Sequence, residues 1–168
     1  MSALPARSLG FTLIEILAVV AIIAVLSLIL AGVAAPGEAT LAEREARRLA
    51  ALLELGLTEA RTSGQAVAWS QEPAGYAFWH KAGDDEWVGF ADSSIYRRRS
   101  FEGKTELRDV LLDGRGLRPG ERLELLPYGL RGTLELTIAG GEARFVLRGG
   151  ALGRIFLRRD ADPRLYAG

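Results

Sequence analysis

One charge, Glu15, interrupts 25 apolar and small residues that run from Phe11 to Ala35. Near the end of an apolar helix an acid costs about 2 to 3 kcal/mol unless it is paired or protonated. The preceding residues offer it a partner. Met1 to Gly10 form a short polar leader with one base, Arg7, and Gly10 stands directly before Phe11. Cleavage after Gly10 would create an ammonium four residues ahead of Glu15, which is the counter-charge the acid needs.

Other reactive groups are sparse. His80 is the only histidine, and no Gly-x-Ser-x-Gly elbow accompanies it, so a serine triad has no framework. Gly149-Gly150-Ala151-Leu152-Gly153 lacks the Lys-Ser/Thr of a phosphate loop and reads as a turn. Asp84-Asp85-Glu86 and Asp160-Ala161-Asp162 carry carboxylates without EF-hand spacing. With no cysteine there is no disulfide framework and no thiolate zinc site. The expectation is a protein that is not an enzyme, with no catalytic residues, no cofactor and no metal. The 21 Lys and Arg balance the 21 Asp and Glu, which argues against a dedicated nucleic-acid binder.

These groups must be carried by three kinds of element. The apolar run would make a helix about 37 Å long, enough to cross a hydrocarbon core of about 30 Å. A signal peptide's apolar region is shorter, about 7 to 15 residues. After Pro36-Gly37 an amphipathic helix is predicted from about Glu38 to Ser63, with Leu41, Ala46, Leu49, Leu53, Leu57 and Ala60 on its buried side and Gly64 as C-cap. Beyond Gly64 the spacing changes to short strands: Gln65 to Ser70, Tyr76 to His80, Glu86 to Phe90, Leu123 to Leu126, Thr133 to Ile138, Ala143 to Arg148 and Arg154 to Arg158. Ala91 to Thr105 reads as a mobile loop. The aromatics Trp69, Tyr76, Phe78, Trp79, Trp87 and Phe90 suit a core better than a base-stacking platform, although Phe78 and Trp79 must point to opposite sides of one strand.

Gly10-Phe11-Thr12-Leu13-Ile14-Glu15 and the apolar residues after it resemble the prepilin signature of type IV pilins and type II secretion pseudopilins. The resemblance implies cleavage between Gly10 and Phe11 by a prepilin peptidase, N-methylation of Phe11, and an assembly role for Glu15 against a neighbour's N-terminal amine. Residues Ala46 to Glu54, Glu59 to Trp69, Gly75 to Phe78 and Trp87 are similar to the GspH/FimT group of minor pseudopilins and minor pilins. The implied fold is α+β, a long N-terminal helix with a transmembrane half and an amphipathic half, packed on a small antiparallel β-sheet head. The parts are a cleaved leader at 1–10, a transmembrane and filament-core helix at 11–35, the second half of the helix at 36–63 and a periplasmic β-rich head at 64–168.

The resemblance further implies a single-pass inner-membrane protein whose partners are the prepilin peptidase and other major and minor pilins or pseudopilins. Its role would be a GspH-type subunit of type II secretion that helps to initiate or cap the pseudopilus. The alternative is a FimT-type minor pilin that binds DNA for uptake. Charge counting opposes a periplasmic head, because Arg7 precedes the span while Arg44, Arg47 and Arg48 follow it; the resemblance overrides that count. Gly153-Arg154 resembles the start of the DNA-contacting tail of some FimT-type pilins, which makes Arg154, Arg158 and Arg159 candidate nucleic-acid contacts. Ile155-Phe156-Leu157 interrupts that tail and is expected to pack into the head.

Overall fold

A computed structural model describes residues 12–31, 36–83, 86–150 and 153–160. The chain divides into two compact units, Met1–Ala35 and Pro36–Gly168. In the first, helix α1 spans Leu13–Ala31, and every side chain described from Thr12 to Leu26 is exposed. At 1.5 Å per residue these 19 residues reach about 28 Å, slightly less than a hydrocarbon core. No helix among the described residues is long and apolar enough to cross a membrane. Both ends of the 25-residue apolar run, Phe11 and residues 32–35, lie outside the described residues.

The second unit begins with α2 (Glu38–Ser63), entered through Gly37 in an extended conformation and closed by Gly64 in the left-handed region with φ 71°. Gly64 donates its N–H to the Ala60 carbonyl at 3.0 Å, so a glycine stops the helix as expected. The fully buried stripe is Ala42, Ala46, Leu49, Leu53, Leu57 and Ala60. Leu41 is only half-buried, and Ala42 and the charged Glu45 take the inner positions instead.

Among the described residues ten strands follow in two antiparallel sheets. The first sheet runs β3 (Glu86–Gly89), β2 (Gly75–Ala82), β1 (Val67–Glu72), β7 (Arg122–Leu125), with β4 (Arg99–Ser100) also paired to β2. The second runs β10 (Ile155–Asp160), β9 (Ala143–Gly149), β8 (Leu134–Gly140), β5 (Glu106–Leu112), β6 (Arg115–Gly116). Helix α2 contacts β1 and β7 of the first sheet and β8, β9 and β10 of the second. Its stripe meets Trp69, Tyr76 and Phe78 from one sheet and Leu134, Leu136, Ile138 and Leu147 from the other in one core. Each such side chain contributes about 1.5 to 3 kcal/mol by leaving water. The expected β8–β9 hairpin is present, with Gly140 opposite Ala143.

Three sequence expectations need correction. Ala91 to Thr105 is irregular but anchored: Tyr96 is buried with its ring 4.8 Å from Phe90, and Arg99–Ser100 pairs with Gly75 and Tyr76. Strand β5 lies where none was expected, because a register shift between Leu107 and Asp109 breaks its two-residue alternation. The run Ile155-Phe156-Leu157 does not pack inward as a whole. Ile155 is buried and Leu157 joins the core, whereas Phe156, on the opposite side of the strand, is 66% exposed.

Candidate functional site

At the N-terminal end, Thr12 stands just before α1 and its Oγ1 accepts the Glu15 backbone N–H at 3.3 Å. This side-chain cap satisfies one of the free donors of the first turn. The Thr-x-x-Glu spacing is that of a capping box, and it places the Glu15 carboxylate where the helix dipole favours an acid. Among the described residues that carboxylate has no hydrogen-bond or ion-pair partner and is open to solvent. Gly10 and Phe11, the expected cleavage pair, lie outside the described residues.

The three candidate arginines separate. Arg154, Phe156 and Arg158 alternate onto the outward face of the second sheet, where Phe156 stands opposite Arg148 and Asp160 opposite Arg144. Arg159 turns to the helix side and lies 5.9 Å from the centre of the Phe145 ring. Arg148 is paired with Glu135 at 2.8 Å and Arg158 with Asp160 at 3.6 Å, so carboxylates break up the basic face.

A buried polar cluster centred on Glu45 was not expected. Glu45, on the buried side of α2, accepts the Tyr76 hydroxyl at Oε1 (2.6 Å) and Arg48 Nη1 at Oε2 (2.8 Å). Burial, then the hydrogen bond and charge of Glu45, push the Tyr76 hydroxyl far above its ordinary range. The aromatic ring of Tyr76 meets Phe78 edge-on at 6.0 Å and Phe101 at 5.8 Å. This hydrogen bond ties α2 to β2, and its chemistry is positional. An i,i+3 Glu-Arg pair on a helix is normally read as solvated, so only its alignment with the alanine and leucine stripe could have disclosed it.

The aromatic cluster divides as the core reading requires. Trp69, Tyr76 and Phe78 are fully buried. Trp79 lies on the other side of the first sheet, donating Nε1–H to Ser70 Oγ at 2.9 Å, with the Arg122 guanidinium 4.5 Å from its ring. The His80 ring lies 4.9 Å from that of Phe90, tilted by 57°, beside a shallow depression shared with Glu59, Ser63 and Gln65. Among the described residues, no three His, Cys, Asp or Glu side chains converge on a metal site. Asp84, Asp85 and Asp162 lie outside them.

Residues 5–31 match a family profile described as the prokaryotic N-terminal methylation motif. No curated protein sequence gives a significant match. The fold is similar to that of the minor pseudopilin EpsH from the type 2 secretion system of Vibrio cholerae, with a TM-score of 0.57 and 20% identity over 73% of this chain and 98% of that one. The chain therefore carries an N-terminal methylation motif and has a fold similar to that of a minor pseudopilin.

Proposed function

We propose that this chain is a GspH-type minor pseudopilin, a structural subunit that helps to initiate or cap the periplasmic pseudopilus of a type II secretion system. The observation that supports it is one chain holding both the methylation motif at residues 5–31 and a head that overlays a minor pseudopilin at TM-score 0.57. In this reading residues 11–35 span the inner membrane, the head is periplasmic, and a prepilin peptidase cuts between Gly10 and Phe11 before Phe11 is methylated. Glu15 then pairs with a neighbour's N-terminal amine, a role that its unpartnered carboxylate at the start of α1 suits. The protein performs no catalysis of its own. Coexpression with a prepilin peptidase, followed by intact-mass analysis of the membrane form, should give a chain beginning at Phe11. Retention of residues 1–10 in assembled material would sink this reading.

A FimT-type pilin that binds DNA is the second reading. The observation in its favour is the outward set Arg144, Arg148, Arg154 and Arg158 around Phe156. Paired carboxylates on the same face and the placement of Arg159 on the opposite side of the sheet weaken it. Titration of labelled DNA at about 50 and 200 mM salt separates the two, since phosphate contacts give a log-log slope of about −0.9 each on duplex DNA. The pseudopilin reading expects no submicromolar, salt-sensitive binding.

A further inference from the structure

Strand β10 ends its sheet: it pairs with β9 on one side, and among the described residues no strand covers the other. An uncovered edge normally invites pairing with another chain. The direction of its free backbone groups follows from one hydrogen bond. Ile155 donates its N–H to Glu54 Oε1 at 3.0 Å, not to β9. In an antiparallel ladder alternate residues direct both backbone groups to the same side, so Ile155, Leu157 and Arg159 face the open edge.

We infer that this edge pairs antiparallel with β10 of a second copy, about a two-fold axis at Leu157. The charge pattern Arg154-Ile155-Phe156-Leu157-Arg158-Arg159-Asp160 is complementary to itself in this register. Arg154 falls opposite the second copy's Asp160, and Phe156 opposite the second copy's Arg158, each pair occurring twice. Phe156 and Arg158 then occupy a non-hydrogen-bonded pair, where side chains approach most closely, and a guanidinium covers a ring that is 66% exposed in the single chain. On the other side of the sheet Ile155 meets the second copy's Arg159. Ile155 then gives its N–H to that residue's carbonyl, and the released Glu54 carboxylate faces the arriving guanidinium.

Shifting the register by two residues in either direction sets arginine against arginine: Arg158 against itself, or Arg154 against Arg158. Like charges directly opposed disfavour both. A shift by one residue would put paired side chains on opposite sides of the sheet. The edge is thereby closed to general aggregation while one mate fits. The inference does not depend on processing at Gly10, and its test does not require it.

The chain contains no cysteine, so single substitutions in the full-length membrane protein report directly. At a hydrogen-bonded pair the Cα atoms lie about 5.5 Å apart, within the disulfide range of about 4.4 to 6.8 Å. Leu157→Cys should give a disulfide dimer under mild oxidation, at several times the yield of Val88→Cys on β3. Mixing Ile155→Cys chains with Arg159→Cys chains should give the corresponding mixed dimer, a measurement independent of Leu157. Adding Asp160→Arg to Leu157→Cys should lower the yield about fivefold by opposing like charges. Adding Arg154→Asp as well should restore it, which a merely misfolded variant could not do. The inference is overturned if both cysteine arrangements yield no more dimer than Val88→Cys, if charge reversal is not rescued, or if the adduct contains a different protein. Loss of the dimer on nuclease treatment would also overturn it, in favour of bridging by nucleic acid.

Discussion

Replacing Tyr76 with Phe removes one oxygen and leaves the ring among Trp69, Phe78 and Phe101, so packing is held constant. What disappears is a 2.6 Å hydrogen bond to a carboxylate whose side chain is only 8% exposed. A hydrogen bond to a charged group contributes about 1.5 to 3 kcal/mol, and here water has little access to replace it. For a unit of this size about 4 °C of melting temperature corresponds to 1 kcal/mol, so the expected loss is about 6 to 12 °C. The measurement is urea and thermal unfolding, by circular dichroism, of a fragment starting at Pro36. Glu45→Leu should cost at least as much, because it leaves the Tyr76 hydroxyl and Arg48 without their acceptor. The double variant Tyr76→Phe/Glu45→Leu should recover much of the loss, since replacing both polar partners by apolar groups removes the unsatisfied remainder. A Tyr76→Phe change within about 0.5 kcal/mol of the parent, or strict additivity in the double variant, would refute the coupling.

A fragment starting near Glu38 should be soluble and folded on its own, shown by circular dichroism and dispersed proton spectra, because the core lies wholly within the second unit. Burial, and then the nearby Glu59 charge, push the Tyr96 hydroxyl from 10.0 up to about 12, and Tyr76 shifts in the same direction. The unfolded chain releases these protons near pH 10 while the folded one keeps them. The associated stability is therefore full below about pH 10 and lost as pH rises towards about 12, with a shallower fall in Tyr96→Phe. At neutral pH Tyr96→Phe should cost nothing or stabilise, because the buried hydroxyl has no partner among the described residues. Gly140→Ala would drive a methyl into the Glu38 carbonyl oxygen and to 2.6 Å from the Ala42 Cβ, lifting the first turn of α2 at a cost of about 1 to 3 kcal/mol in urea unfolding. On the pseudopilin reading, Glu15→Leu should leave membrane insertion intact while lowering incorporation into the pseudopilus, measured by the share of chain sedimenting with sheared pseudopilus filaments; full incorporation would exclude the amine-pairing role.

Local signals were readable wherever one residue type decides one conformation. Pro36-Gly37 and Gly64 frame α2, and the alternation of Leu134, Leu136 and Ile138 marks β8 with its turn. Seven strands were legible to within a few residues at each end. The rest depended on partners distant in sequence. The bulge after Leu107 destroys the alternation that would reveal β5, while β4 and β6 are two residues each and exist only through their neighbours. The buried Glu45 reads as a surface acid until Tyr76, 31 residues away, supplies its donor. Phe156 shows the reverse error. An apolar run reads as core, yet on a strand covered by a helix on one side its middle residue must face out. The methylation motif was the most legible feature, because its recognition depends on contiguous residues.

The bond from Glu54 to Ile155 spans 101 residues, joining α2, the first element of the second unit, to the last strand among the described residues. Since a ribosome makes the chain from its N-terminus, α2 exists long before the strand that completes its cover. A head still being synthesised, or arrested short of residue 155, keeps the last part of the α2 stripe open with Ile155 missing from the core. Closure of the head thus requires that synthesis has passed residue 155, and a chaperone that recognises the bare stripe would distinguish chains that lack this strand from chains that contain it.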